Sequence, residues 1–308
     1  MKYLIVVVGP TAVGKTALAI RLAKHFGTEV LSADSRQFYK EMEIGTAKPT
    51  TEEMDGVPHH FVNSRSIHEP YDVGQFEQDT MACLDTLYRK HRVVIMAGGS
   101  GLFVDAVCRG FDELPKPGPE VRAAVTEVYE TGGIEALQHE LKLVDPEYYA
   151  QVDLQNPQRL MRALEVCRFT GSKFSELRKG SKVERPFQVI KIGLNTERET
   201  LYSRIDQRMD LMIAAGLFEE AERLAPHRAL NALQTVGYRE IYGFLEGQYD
   251  REESMRLLKR NSRRYAKRQL TWFKRDEQTR WFEPGNETDT IQYLENRIEE
   301  LERSEPEN

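Results

Sequence analysis

Apolar residues along this chain fall into two rhythms. Tyr3-Leu4-Ile5-Val6-Val7-Val8 is an unbroken apolar run of strand length, and residues 16–26 then repeat apolar positions at helical spacing. Val30-Leu31-Ser32 reads as a second strand, Arg92-Val93-Val94-Ile95-Met96-Ala97 as a third, and Val189-Ile190-Lys191-Ile192-Gly193-Leu194 as a later strand of the same sheet. β-branched runs that alternate with helices predict crossover units and a parallel sheet. The texture changes at Leu114-Pro115-Lys116-Pro117-Gly118-Pro119, a clear breaker, and the stretch from there to about Gly180 is helical with no convincing strand. From Glu197 onward the pattern is almost wholly helical, and the acidic, polar tail after Asn296 reads as a frayed helix end. The expected architecture is α/β: a parallel sheet flanked by helices over residues 1–112 and 186–308, an all-helical insertion over 113–185, and a helical C-terminal region.

Composition narrows the class. With 308 residues and 40% apolar content, the chain can bury one substantial core and carry an accessory domain. A net charge of -6 excludes a generic basic coat for nucleic acid, but a net figure hides local asymmetry. Cys83, Cys108 and Cys167 are scattered and odd in number, and read as reduced, buried thiols of a cytosolic protein. The apolar N-terminus is too short for a secretory peptide, and no run approaches the ~18 apolar residues of a membrane span, so a soluble, cytoplasmic protein without a membrane partner is expected.

The first candidate chemistry sits directly after the first strand. Gly9-Pro10-Thr11-Ala12-Val13-Gly14-Lys15-Thr16 matches the G-x-x-x-x-G-K-[ST] phosphate loop, between a strand and a helix. Its glycines let backbone N–H groups converge on phosphate oxygens, Lys15 supplies a point charge, and the Thr16 hydroxyl is the usual magnesium ligand. An ATPase of this kind normally adds an Asp at the end of a second apolar strand. The candidate strand over residues 93–97 runs instead into Gly98-Gly99-Ser100-Gly101. Phosphate binding is therefore expected and hydrolysis is not.

Asp34, in Ala33-Asp34-Ser35-Arg36-Gln37, follows the second strand and should face the same crevice as Lys15, because ligands of open parallel sheets sit at the carboxyl ends of the strands. A lone Asp there is more often a turn or helix cap, but the adjacent Arg36 and Gln37 favour a site. Gly45-Thr46-Ala47-Lys48-Pro49 is another small-residue turn with a cation. His59 and His60 are adjacent, which does not suit a helical metal site, and read as structural. Arg204 and Arg208 share one helix face and suggest an anion clamp, with Arg208 preferred. Between Arg251 and Arg280, eleven basic residues face four acidic ones, a net +7 that suits a phosphate backbone. Leu258, Tyr265 and Trp272 recur every seventh position there, as an inward stripe behind outward cations.

With these residues assembled, the chain resembles the bacterial tRNA dimethylallyltransferase (tRNA isopentenyltransferase) family over roughly residues 3–275. The ordered matches are the phosphate loop, Ala33-Asp34-Ser35-Arg36-Gln37-Phe38-Tyr39, Gly45-Thr46-Ala47-Lys48-Pro49, Gly98-Gly99-Ser100-Gly101-Leu102-Phe103, Asn156-Pro157-Gln158-Arg159-Leu160-Met161-Arg162-Ala163-Leu164-Glu165, Val236-Gly237-Tyr238-Arg239-Glu240 and Ala266-Lys267-Arg268-Gln269-Leu270-Thr271-Trp272-Phe273. The resemblance implies that the loop holds dimethylallyl diphosphate with Mg2+ in place of ATP. It implies further that Asp34 takes the proton from the 6-amino group of the adenosine 3′ to the anticodon, and that Thr11, Lys15 and an arginine, Arg208, engage the diphosphate. It places Asp34, Ser35, Arg36, Gln37, Ser100, Arg122, Gln158, Arg159, Leu160, Met161 and Arg162 against the tRNA anticodon stem-loop, with no obligate protein partner. Ser100 stands where many relatives have threonine. The C-terminal zinc finger of eukaryotic relatives has no counterpart here.

Two other readings stay open on the residues alone. A small-molecule P-loop kinase shares the loop, Asp34 and the arginine helix, but has no use for the basic C-terminal helices. A noncatalytic RNA-binding switch explains the basic segment and leaves Asp34 to Gln37 idle.

Overall fold

The computed structural model describes residues 1–110, 112, 114–178 and 183–304. It divides the chain into two compact units, residues 1–108 with 185–308, and residues 109–184. Glu113, Gly180 and the last residues of the tail, 305–308, lie outside the described residues.

The first unit is built on a parallel six-stranded sheet in the order β3-β2-β4-β1-β5-β6. Its strands are β1 (Tyr3–Val8), β2 (Val30–Ser32), β3 (His59–His60), β4 (Val93–Gly98), β5 (Gln188–Leu194) and β6 (Arg280–Phe282). The unbroken apolar run of β1 is explained by its place between β4 and β5, where both faces are covered. Tyr3, Ile5 and Val7 point into one core, with residues of α1 (Lys15–Phe26). Leu4, Val6 and Val8 point into the other, with α3 (Val73–Leu87) and α4 (Gly101–Arg109); the short α2 (Thr51–Met54) precedes them.

Two strands escape the sequence pattern. β3 and β6 are two and three residues long, too short to show a period, and β6 interrupts a stretch expected to be almost wholly helical. His59 and His60 form β3; His60 Nε2 pairs with Glu29 at 2.6 Å and His59 Nδ1 with the Val57 carbonyl at 2.8 Å, so both have hydrogen-bonding roles.

The second unit carries α5 (Pro119–Val144), α6 (Pro146–Tyr149), α7 (Pro157–Thr170) and α8 (Phe174–Leu177). The α5 span is broken at Gly133, whose backbone leaves the helical region. Its core joins Val125, Leu137 and Leu141 to Leu160, Leu164 and Phe174. Asp145 is fully buried there and is satisfied by the N–H groups of Tyr148 and Ser175 and by the Ser175 hydroxyl.

The C-terminal part of the first unit comprises α9 (Arg198–Ala214), α10 (Leu217–Leu224), α11 (Tyr238–Leu245), α12 (Arg251–Phe273) and α13 (Glu287–Arg303). The tail is not frayed from Asn296: α13 runs on to Arg303, and Leu294 and Ile298 are buried in the core that holds α1. Cys108 and Cys167 are buried and Cys83 is half-buried, and none of the three is in a disulfide.

Leu160 is fully buried in the helical unit. Leu160→Ala should therefore cost about 2–5 kcal/mol, read as a lower denaturation midpoint in urea followed by circular dichroism.

Candidate active site

The phosphate loop joins β1 to α1, and its shape depends on three positive φ angles: Gly9 at 150°, Ala12 at 63° and Gly14 at 104°. A Cβ on Gly9 would stand 2.6 Å from the Leu194 carbonyl oxygen at the end of β5, so this position is closed to side chains. Ala12 does carry a Cβ, and its left-handed backbone costs on the order of 1 kcal/mol, a strain of the kind found at ligand-binding turns. Gly14 caps α1, which starts the helix at Lys15 and leaves its N-terminal end facing the loop.

Lys15 donates from Nζ to the Pro10 carbonyl at 2.7 Å. Burial pushes its ammonium down to about 8, the carboxylate of Asp34 pulls it back up, and Arg208 pushes it down. One N–H of the loop is already committed: Thr11 donates to Oε1 of Gln269 at 2.8 Å. Thr11 thus offers a ligand its hydroxyl, not its N–H.

Asp34 follows β2 by two residues, and the intervening Ala33 donates its N–H to the Ala97 carbonyl of β4 at 2.8 Å. The turn role expected of a lone Asp is realised in part, since Asp34 Oδ1 accepts the Arg36 N–H at 3.1 Å. The residue nevertheless lines a cavity of about 100 Å3, partly open to solvent. Thr11, Ala12, Arg36, the 45–47 segment, Arg208, Thr235, Gly237, Ser262 and Tyr265 share that lining, with Ile205, Met209 and Met212 as an apolar wall. Ser100 supports the Asp34 turn: its Oγ accepts the Ser35 N–H at 3.0 Å and donates to the Ser35 hydroxyl oxygen at 3.1 Å. Burial pushes the Tyr265 phenol up to about 12, with Asp34 adding to the effect.

The structure separates the two candidate arginines. Arg208 lines the cavity and donates to the Ala47 carbonyl at 3.1 Å, while Arg204 is exposed and is not part of the lining. Burial pushes the Arg208 guanidinium down, and attraction to Asp34 opposes this. Gln37, expected to face a ligand, spends its amide internally: Nε2 reaches the Thr46 and Ala47 carbonyls at 3.4 and 3.3 Å, and Oε1 accepts from Ser32 at 3.1 Å. Arg36 Nη1 donates to the Asn231 carbonyl at 3.0 Å and still lines the cavity.

Several supporting residues were not legible. Glu220, only 2% exposed, accepts the N–H groups of Glu43, Ile44 and Gly45 at 3.0, 2.8 and 2.9 Å and the Tyr238 hydroxyl at 2.6 Å. It thereby fixes the 45–47 segment that receives Arg208. Glu240 accepts the Gly237 N–H at 2.8 Å and the Asn261 side chain at 2.7 Å, and so holds in place Val236 and Gly237, the part of Val236-Gly237-Tyr238-Arg239-Glu240 that lines the cavity. Lys48 is absent from the lining; its ammonium goes to Asn63 Oδ1 at 2.5 Å and to the Tyr39 carbonyl.

The basic helix α12 departs from its expected stripe. Ser254, Leu258, Ser262, Ala266, Gln269 and Phe273 are buried, whereas Tyr265 and Trp272 are half-buried. Tyr265 lines the cavity and Trp272 Nε1 donates to Asp105 at 2.8 Å. Arg256, Lys259 and Arg263 are held by Glu253, Asp210 and Asp206, each pair at 2.6 Å. Arg264, Lys267 and Lys274 are exposed and make no ion pair among the described residues.

In the helical unit, Gln158 and Arg159 are exposed on the first turn of α7, which Asn156 caps by accepting the Arg159 N–H at 3.2 Å. Arg122 and Arg162 both approach the buried Glu165, at 3.9 and 3.6 Å. Leu160 corrects an expectation: its side chain is fully buried and is taken up by packing, so it is no surface contact. Met161 is half-buried against the same core.

Comparison with known proteins agrees with this geometry. A family profile described as IPP transferase matches residues 37–276. A tRNA dimethylallyltransferase of Cytophaga hutchinsonii is 57% identical, over 97% of this chain and 98% of its own length. One of Flavobacterium johnsoniae is 50% identical, over 99% of this chain and all of its own length (100%). Among solved structures, the full-length tRNA isopentenylpyrophosphate transferase of Bacillus halodurans superposes with a TM-score of 0.74 at 36% identity, covering 98% of this chain and 99% of that one. A eukaryotic dimethylallyltransferase acting on tRNA gives 0.71 at 27% identity, over 88% of this chain and 70% of its own.

The lowered Lys15 value predicts a pH signature. As pH rises through about 8, the free ammonium is lost, so the advantage of Lys15 over Lys15→Met in binding inorganic diphosphate should shrink. The decline should approach roughly tenfold per pH unit above that point, and calorimetry of both proteins between neutral and alkaline pH measures it.

Proposed function

The chain belongs to the IPP transferase family and transfers a dimethylallyl group to an adenosine of tRNA; we infer that its donor is dimethylallyl diphosphate and its acceptor the adenosine 3′ to the anticodon, at position 37. The observation that carries the reading is the meeting of phosphate-loop residues Thr11 and Ala12, the cation Arg208 and the carboxylate Asp34 at a single cavity, with Lys15 of the same loop behind it and close enough to sense both Asp34 and Arg208. A nucleotide-hydrolysing site would place a carboxylate at the end of β4, where Gly98, Gly99 and Ser100 stand.

In the transfer, the adenosine 6-amino nitrogen attacks the first allylic carbon. The bond from that carbon to the diphosphate oxygen breaks, and its electron pair leaves with diphosphate. The 9–16 loop, the Thr11 hydroxyl, Lys15 and Arg208 hold that diphosphate and receive the charge that grows on it. Asp34 accepts the proton released from the amino nitrogen, since an exocyclic amine is a weak nucleophile until that proton departs. The apolar wall of Ile205, Met209 and Met212 suits the prenyl chain and excludes water that would otherwise capture an allylic cation.

Magnesium fits this arrangement. The Thr16 hydroxyl is exposed on the first turn of α1 and has no partner among the described residues, and Mg2+ typically takes few protein ligands beside substrate phosphates. Bound there with the donor, the ion would neutralise part of the leaving group's charge.

The acceptor must be splayed from its loop to reach the cavity. On the first unit, Ser35, Arg36 and Ser100 surround Asp34 and contact the flipped base, while Gln37 acts by holding Ala47. On the helical unit, Gln158, Arg159, Arg162 and Arg122 grip the neighbouring anticodon nucleotides. The exposed Arg264, Lys267 and Lys274 of α12 suit the phosphates of the stem. A tRNA substrate supports a cytoplasmic reaction. No helix among the described residues is long and apolar enough to cross a membrane.

Labelled dimethylallyl diphosphate with an anticodon stem-loop tests the assignment. Label should appear on the adenosine beside the anticodon and depend on magnesium, and kcat should fall by about 10²- to 10⁴-fold for Asp34→Ala, the range a general base contributes. ATP consumption on a small acceptor without prenyl transfer would instead favour the kinase. Lys267→Ala and Lys274→Ala should each weaken stem-loop binding across sequences and reduce the salt slope by about 1, measured by titration at several ionic strengths.

A further inference from the structure

We propose that Gln269 is a positioning residue for this transfer, a latch that fixes the donor's phosphate loop against the acceptor loop; the proposal rests on the function inferred above. Gln269 lies in the last third of α12 and is 5% exposed. A buried amide left unsatisfied costs about 1–3 kcal/mol, so its partners matter. Both ends are used. Oε1 accepts the Thr11 N–H at 2.8 Å, and Nε2 donates to the Gly99 carbonyl at 3.0 Å. Only this orientation of the amide serves a donor on one side and an acceptor on the other.

The two loops it joins leave neighbouring strands. β1 and β4 are paired up to Val8 and Gly98, and beyond that register the sheet ladder no longer ties the chains. Gln269 enters at that point. From Gly99 the contacts continue through Ser100, which holds Ser35 by two hydrogen bonds, to the turn that carries Asp34. A single side chain thus links the loop that would bind the leaving group to the loop that would orient the nucleophile. Gly99 belongs to the same device: a Cβ there would stand 2.2 Å from Gln269 Nε2, so the latch closes only over a glycine. Misplacement of reacting groups by about 1 Å costs on the order of 10²-fold in rate. Gln269 touches neither reacting atom, and its effect is therefore on kcat through alignment.

The test is a double-mutant cycle of Gln269→Ala and Gly99→Ala, with kcat, both KM values and Tm measured for each protein. Gln269→Ala should lower kcat by about 10- to 100-fold, with KM for dimethylallyl diphosphate and for the stem-loop held within about threefold. Gly99→Ala should give a similar loss alone and add almost nothing to Gln269→Ala, because truncation opens the space its Cβ needs. A Gln269→Ala enzyme with near-wild-type kcat, or losses that multiply in the double variant, would overturn the proposal. Should Gln269→Ala fail to fold, Gln269→Met keeps the volume without the amide and is read by the same kcat criterion. Absence of transfer by the wild-type chain defeats the underlying function, whereas an active wild type beside an equally active Gln269 variant defeats the latch alone.

Discussion

Opposite charges share one poorly solvated cavity in this protein without collapsing onto each other. Among the described residues Asp34 forms no ion pair, although it attracts both Lys15 and Arg208. Backbone carbonyls explain the separation: Pro10 holds the Lys15 ammonium and Ala47 holds the Arg208 guanidinium. A carbonyl satisfies a cation's donors without neutralising it, so both positive charges remain available to an incoming anion. The carboxylate, for its part, keeps an oxygen free of the turn that its Oδ1 caps. A direct salt bridge would be the more stable arrangement for the empty protein and the less useful one, because ligand binding would first have to break a desolvated pair.

Holding those carbonyls in place requires structure at a distance. Ala47 follows a short segment whose three N–H groups all converge on Glu220 of α10. A carboxylate that accepts three backbone N–H groups and a phenol is fully occupied, which is why it tolerates burial. The same logic recurs at Glu240, which fixes the turn into α11 and the side chain of Asn261. Buried acids in this unit act as fasteners for the backbone that lines the cavity, while Asp34 lines it directly and forms no ion pair among the described residues.

How much of this was legible depended on sequence distance. The phosphate loop and Asp34 could be read because their signals are local: a glycine pattern between strand and helix, and an acid at a strand end. The three long strands β1, β4 and β5 announced themselves by β-branched runs, and the three-residue β2 by Val30-Leu31, but β3 and β6 carried no such signal. Glu220, and the role of Gln269 within its matched motif, could not be read because each meets partners far along the chain, Gln269 across 258 residues to Thr11. Leu160 misled for another reason. The resemblance places it on the tRNA surface as part of a motif carried over whole, whereas the helical period of α7 turns it inward. Of Arg204 and Arg208, one turn apart, no pattern could choose; the packing of α9 against the cavity does.

The carboxyl end of β4 shows what the fold exchanged. A nucleotide-hydrolysing relative of this architecture keeps an acid there for its metal. Here a Cβ on Gly98 would stand 2.2 Å from the Ala33 carbonyl oxygen, and the Ser100 N–H donates to that same oxygen at 3.3 Å. The acceptor loop is therefore pressed against β4 at the one place where an acid would have stood. Any carboxylate added there would push away the turn that carries Asp34. On this geometry an acid at the end of β4 and Asp34 in its present place exclude each other, because the turn that carries Asp34 occupies that space.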